Sequence, residues 1–122
     1  MSDIKDLTLK INHWIAERGW ERGQKPKDLA ISISLEAAEI LEHFQWKNEK
    51  QVAKHVKENK EELADELADV AIYLLEMAYK TKINLVDAIE NKLIKQSKKY
   101  PVGKVKLNTE EYYRLKNKAR GK

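Results

Sequence analysis

Two pairs of acidic residues have a spacing that could do chemistry. Glu36 and Glu39 are three apart, and so are Glu66 and Asp69. Three residues is close to one helical turn, so each pair sets two carboxylates side by side on one helix face. On the second of these helices Glu62, Glu66, Asp69 and Tyr73 follow i, i+4, i+7, i+11 spacing and form one narrow stripe. Like charges at such spacing repel by about a few tenths of a kcal/mol per pair, and partial burial raises that cost by stripping water from the charged form. A hard divalent cation held between two helices removes the penalty. Carboxylate oxygens suit Mg²⁺, whose octahedral shell is completed by waters and substrate phosphates. Acid-x-x-acid pairs also arise by chance in so charged a chain: Asp3/Asp6, Glu39/Glu42, Glu58/Glu61, Glu62/Asp65 and Asp87/Glu90 are further instances. One pair means little. Two pairs on neighbouring helices mean more, but pattern alone leaves both a metal site and a solvated acidic face open.

The elements that must carry these side chains are helices. Ile4, Leu7, Ile11, Trp14 and Ile15 predict a first helix over 4–17 that ends at Arg18-Gly19. The stretch GWERGQKPK holds both early glycines and Pro26 and reads as a loop. Asp28 is the expected N-cap of a second helix over about 29–46. On it Leu29, Ile33, Ala37, Ile40, Leu41 and Phe44 form the core stripe, Ile31 and Leu35 a second apolar patch, and Glu36 and Glu39 lie in the gap between. The polar segment KNEKQVAKHVKEN reads as a connection with at most a short helix in it. A third helix is expected over roughly 59–81, with Leu63, Leu67, Val70, Ala71, Leu74, Leu75 and Ala78 as its core face. Asn84 and Asp87 resemble a cap and a first-turn acid opening a fourth helix to about Lys99, and Pro101 stops it. A last short helix is expected from Thr109, where Glu110 and Glu111 suit a first turn. No stretch alternates like a strand for long, so the fold class is all-α.

Composition sets the outer limits. At 122 residues the chain is one domain in size, and four Gly with two Pro suit helices joined by short turns. The absence of cysteine excludes disulfides, thiol nucleophiles and cysteine-based zinc sites. The longest apolar run, Val70 to Leu75, is far short of the roughly 20 residues of a membrane span. The acidic N-terminus lacks an apolar signal core, so a soluble cytoplasmic protein with no membrane partner is expected. The net charge of +4 hides an asymmetry: from Lys92 onward eleven Lys/Arg face only Glu110 and Glu111, whereas the first 91 residues carry a net −5. His13, His43 and His55 do not form the Glu-x-x-His pairs of a di-iron bundle, since Glu39 to His43 is i, i+4 and has no second copy. No Gly-rich phosphate loop and no Ser/His/Asp set is present.

The words around the acidic pairs carry a resemblance. Glu36-x-x-Glu39, 26 intervening residues and Glu66-x-x-Asp69 resemble the E-x-x-E…E-x-x-D signature of the all-α NTP pyrophosphatases, the MazG-like superfamily. SLEAAEILEHFQWK, DELADVAIYLL, AERGWE at Ala16 to Glu21 and the Lys-Tyr-Pro run within Lys92 to Pro101 resemble its dCTP pyrophosphatase branch. The similarity covers roughly residues 4–102, all words in order. It implies a MazG-like bundle of four to five helices that acts as a homo-oligomer, dimer or tetramer. The implied reaction is Mg²⁺-dependent cleavage of a nucleoside triphosphate, dCTP in this branch, between the α and β phosphates, giving the monophosphate and pyrophosphate. By the same resemblance Glu36, Glu39, Glu66 and Asp69 are the Mg²⁺ ligands, Glu36 or Glu39 also accepts the attacking water's proton, and Glu62 stands behind them. Trp20 and Trp46 match aromatics of the nucleotide pocket, Tyr73 a tyrosine beside the metal face, and Lys92 and Tyr100 positions on the phosphate side.

Departures from the family bear on the preferred base. Gln96 and Ser97 stand where the family often has Asn and Arg, and the pocket histidine of the first helix falls at Ile11, with His13 on another face. Without the family, Trp46 reads almost as well as a plug at the end of the second helix, and most lysines of the tail as solvated. The domain expectation is a catalytic domain over 1–102 and a basic tail with a short helix over 103–122. The competing reading is a non-enzymatic helical interaction protein whose tail binds nucleic acid, Tyr112 and Tyr113 stacking beside Arg114 and Lys116. A solvated or subunit-wrapping tail is the commoner case, so no nucleic-acid partner is expected.

Overall fold

The computed structural model describes residues 3–103 and 110–121. They belong to two compact units, Met1–Ile83 and Asn84–Lys122. The first holds α1 (Ile4–Glu17), a 3₁₀ turn (Glu21–Gly23), α2 (Pro26–Glu42), α3 (Glu49–Glu58) and α4 (Lys60–Lys80). The second holds α5 (Leu85–Lys99) and α6 (Glu110–Ala119). The described residues thus contain six α-helices where four to five were expected, and the extra one is α3, the polar connection.

Local chemistry explains each boundary. Asp3 caps α1 by accepting from the Asp6 N–H at 2.8 Å. Helix α1 ends in a Schellman turn: Gly19 sits at φ 67°, its N–H donates to Ala16 O at 3.0 Å, and the Trp20 N–H donates to Ile15 O at 3.2 Å. The second helix starts three residues earlier than expected, because Pro26 takes the first helical position, where its missing N–H costs nothing and its φ is preset. Asp28 is consequently a first-turn acid rather than the cap. The helix also stops short of 46. The chain tightens through Phe44 N–H to Leu41 O at 2.9 Å and leaves the helix with Trp46 at φ 70°. The connection folds as α3 because Asn48 and Gln51 form a reciprocal capping box, each side chain accepting from the other's N–H at 2.9 Å. Asn84 caps α5 by accepting from the Asp87 N–H at 3.1 Å, as the spacing suggested. The expected start of the last helix, Thr109, lies outside the described residues, and the helix is described from Glu110.

In the first unit α4 is the central element, packed chiefly against α2 and also against α1 and α3. The core is thin: among the described residues Ile15, Leu29 and Ala78 are its buried apolar side chains. Glu76 of α4 is fully buried with them, and neither of its carboxylate oxygens has a hydrogen-bond partner. Burial pushes its pKa up, opposed by the nearby Lys80 ammonium and the Asn12 amide. Large apolar side chains remain exposed on α2 and α4, among them Ile31, Leu35, Leu41, Leu67 and Leu74. No helix among the described residues is long and apolar enough to cross a membrane.

Candidate metal centre and adjoining cavity

Packing α2 against α4 brings the two acidic pairs together. Glu36 and Glu39 from α2 and Glu66 and Asp69 from α4 each offer one oxygen, and these oxygens all lie within 4.8 Å of one another. Glu36 and Glu66 are half-buried, Glu39 and Asp69 exposed. Among the described residues no lysine or arginine forms an ion pair with any of the four, and the basic group in range is His43, its Nε2 4.0 Å from Glu66 Oε1. Glu62 is exposed and outside the cluster.

The electrostatics follow from the crowding. The Glu66 pKa is pushed up to about 7, first by sharing a hydrogen bond with the Glu39 carboxyl, then by burial and the charges of Glu39, Asp69 and Glu36. Burial, with Glu39 and Asp69 close by, also raises that of Glu36. One oxygen each of Glu36 and Glu66 is buried with no hydrogen-bond partner. Orphaned acceptors of this kind call for a donor or a cation. Four convergent oxygens and no resident cationic partner fit a hard divalent ion such as Mg²⁺.

Asp69 also lines a cavity of about 410 Å³ with Ile11, Trp14, Trp20, Ile72 and Tyr73 on its walls. The Schellman turn at Gly19 reverses the chain so that Trp20 meets Trp14 edge to face, ring centroids 5.4 Å apart. Arg18 stacks over Trp14, its guanidinium carbon 4.0 Å from the ring centroid. Trp20 and Tyr73 are therefore brought beside the acidic cluster. Trp46 is not. It is 92% exposed and lines a different cavity, of about 440 Å³, with Lys47, Lys54 and His55. Lys92 lies exposed on α5 in the second unit, and Tyr100 of that unit stacks on Tyr112 with centroids 5.2 Å apart.

Sequence reasoning missed three contributors. Trp14 reads as part of the apolar stripe of the first helix, and the turn at Gly19 is what makes it a wall of the cavity. His43 stands four residues beyond Glu39, a spacing that fits no di-iron pattern and gives no other sign of a role. His55 gave no signal, because its role depends on α3 folding against the end of α2.

The MazG-like family profile matches residues 31–115, which include all four carboxylates. The chain belongs to the MazG-like family. It is 32% identical over 101 residues to the dCTP pyrophosphatase 1 of Rattus norvegicus, which covers 81% of this chain and 59% of that protein. With the dCTP pyrophosphatase 1 of Homo sapiens it shares 28% identity over 114 residues, 92% of this chain and 67% of that protein. The MazG-like chain thus spans about 59% of the length of the rat relative. A crystal structure of a pyrophosphatase from Archaeoglobus fulgidus superposes with a TM-score of 0.78 at 36% identity, covering 83% of this chain and 94% of that one. The similarity includes the dCTP pyrophosphatase branch, as the words around the acidic pairs suggested.

Proposed function

We propose that this MazG-like chain is a Mg²⁺-dependent nucleoside triphosphate pyrophosphohydrolase. It takes a (d)NTP, with dCTP among its substrates, and cleaves between the α and β phosphates to give the (d)NMP and pyrophosphate. The observation that supports this most is the four-carboxylate cluster joined through Asp69 to an apolar cavity walled by indoles and a phenol. One end suits a cation and its polyphosphate, the other a flat base. The names of the relatives point the same way.

On this reading Glu36, Glu39, Glu66 and Asp69 hold the metal. Bound Mg²⁺ supplies charge neutralisation of the triphosphate and lowers the pKa of water. Of the two candidates Glu36 and Glu39, Glu39 is the exposed one, open to a water, and accepts its proton as it attacks. Trp20 stacks on the base, and Tyr73, lining the same cavity as Asp69, meets the sugar or phosphate. Ile11 gives the cavity an apolar wall, and a pyrimidine is the expected base because the similar curated proteins are dCTP pyrophosphatases. Lys92 and Tyr100 are assigned to the phosphates by family resemblance. Trp46, which lines a separate cavity, is assigned to the nucleotide by family resemblance alone. Residues 1–102 are then the catalytic domain, 103–122 a basic tail, and the protein a cytoplasmic dimer or tetramer.

The test is release of pyrophosphate from each ordinary and modified dNTP with Mg²⁺. Glu39→Gln and Asp69→Asn are expected to reduce it by roughly a hundredfold or more. Full activity in Glu39→Gln, or orthophosphate as the product, would overturn the reading.

A further inference from the structure

Three side chains outside the cluster form a hydrogen-bonded chain that ends at it. Asn59 Nδ2 lies 3.2 Å from His55 Nδ1. His55 Nε2 lies 2.6 Å from His43 Nδ1. His43 Nε2, in turn, is 4.0 Å from Glu66 Oε1. The chain links the α3–α4 junction, α3, the end of α2 and α4, all within the first unit. The His43 side chain is only 11% exposed, so its ring is held by this packing rather than by solvent.

The direction of the chain is fixed at its far end. Asn59 Nδ2 also lies 3.2 Å from the His55 carbonyl oxygen, which can only accept. The amide atom at that position is therefore nitrogen, which can only donate, so its 3.2 Å contact with His55 Nδ1 is a hydrogen bond when that ring nitrogen accepts. That ring nitrogen must be the bare acceptor, so His55 carries its proton on Nε2. The Nε2–H donates to His43 Nδ1, which must also be bare. His43 consequently carries its proton on Nε2, the atom nearest Glu66. A side-chain amide one helix away thus sets which face of His43 the metal-site carboxylate meets.

We propose that His43 is a positioning residue of the metal centre, its Nε2–H aimed by His55 and Asn59 at Glu66 Oε1 so that the rotation of this carboxylate among the other three is fixed. At 4.0 Å the attraction is electrostatic, beyond hydrogen-bond length. Glu66 Oε2, the oxygen left over, is buried and has no partner. Groups that ligate metals are commonly oriented by such outer partners, and losing one weakens metal binding by roughly 10–100-fold. The inference rests on the metal reading above.

Two measurements on the full chain test it. Nitrogen NMR of the ¹⁵N-histidine-labelled, metal-free protein reports directly which ring nitrogen carries the proton, and both His43 and His55 are expected as the Nε2–H tautomer. In Mn²⁺ titrations followed by electron paramagnetic resonance, His43→Leu is expected to weaken binding by roughly tenfold or more, and His43→Gln, which keeps a side-chain N–H, to recover most of it. A bare Nε2 on His43, or Mn²⁺ affinity unchanged in His43→Leu, would overturn the proposal while leaving the metal centre intact. Failure of the unaltered protein to bind Mn²⁺ would overturn the metal reading, and the proposal with it.

Discussion

Protons and a divalent cation compete for the same oxygens at the acidic cluster. Glu66 sits near pKa 7 because it shares a proton with Glu39 and is crowded by Asp69 and Glu36. A carboxyl with a raised pKa keeps in the folded state a proton that the unfolded chain releases. Stability of the metal-free protein must then fall as pH rises from the ordinary glutamate value near 4.5 to about 7, with the rise at Glu36 adding in the same direction. Ligation needs the deprotonated form, so Mg²⁺ affinity rises over that interval. Thermal melts should show the metal-free midpoint dropping between about pH 5 and about pH 7.5, and the drop shrinking or reversing with Mg²⁺. A midpoint that rises across this window without metal would contradict the crowding. At this scale the carboxylates were legible in the sequence, since two three-residue spacings suffice to find them. His55 was not, because a histidine in a polar segment looks the same whether solvated or packed on His43.

Helix ends do much of the positioning. The turn at Gly19 sends Trp20 back against Trp14 and so builds one end of the cavity beside Asp69. Space is not what requires glycine there, since a Cβ would meet nothing within 4 Å, but the left-handed φ of 67° is. Gly19→Ala should cost about 1–2 kcal/mol, measured by urea unfolding. Helix α4 ends in the same turn with Lys82 at φ 59°, the Ile83 N–H donating to Ala78 O at 2.9 Å. Lys82→Gly should therefore stabilise by up to about 1 kcal/mol. Equal effects of the two changes would contradict this account of the turns. The end of α1 at Arg18-Gly19 was legible because glycine is a strong stop signal. The start of α2 was misread because two valid signals compete, and Pro26 at the first helical position outranks Asp28 as a cap. The polar segment reads as a connection that allows a short helix, and the Asn48–Gln51 capping box is the signal that marks where α3 starts.

For the whole molecule the decisive feature is how little is inside. Among the described residues of the first unit only three apolar side chains are buried, few for a unit of this size. Ile31 and Leu35 on α2 and Leu67 and Leu74 on α4 meanwhile lie open to water. Exposed apolar side chains on two packed helices are the basis for expecting a second copy to cover them. Light scattering during size-exclusion chromatography should give two or four times the chain mass, and a stable monomer at micromolar concentration would contradict it. The all-α class was legible from hydrophobic periodicity, but which stripes stay uncovered was not, since periodicity shows that a face is apolar and not what it meets.

The central claim is that four carboxylates from α2 and α4 share one divalent ion. Crystals grown with Mn²⁺ test it most directly, through anomalous scattering at the manganese edge. One peak is expected among Glu36, Glu39, Glu66 and Asp69, and it should vanish in Asp69→Asn. Ordered carboxylates with no peak between them, or manganese bound elsewhere on the chain, would contradict the account.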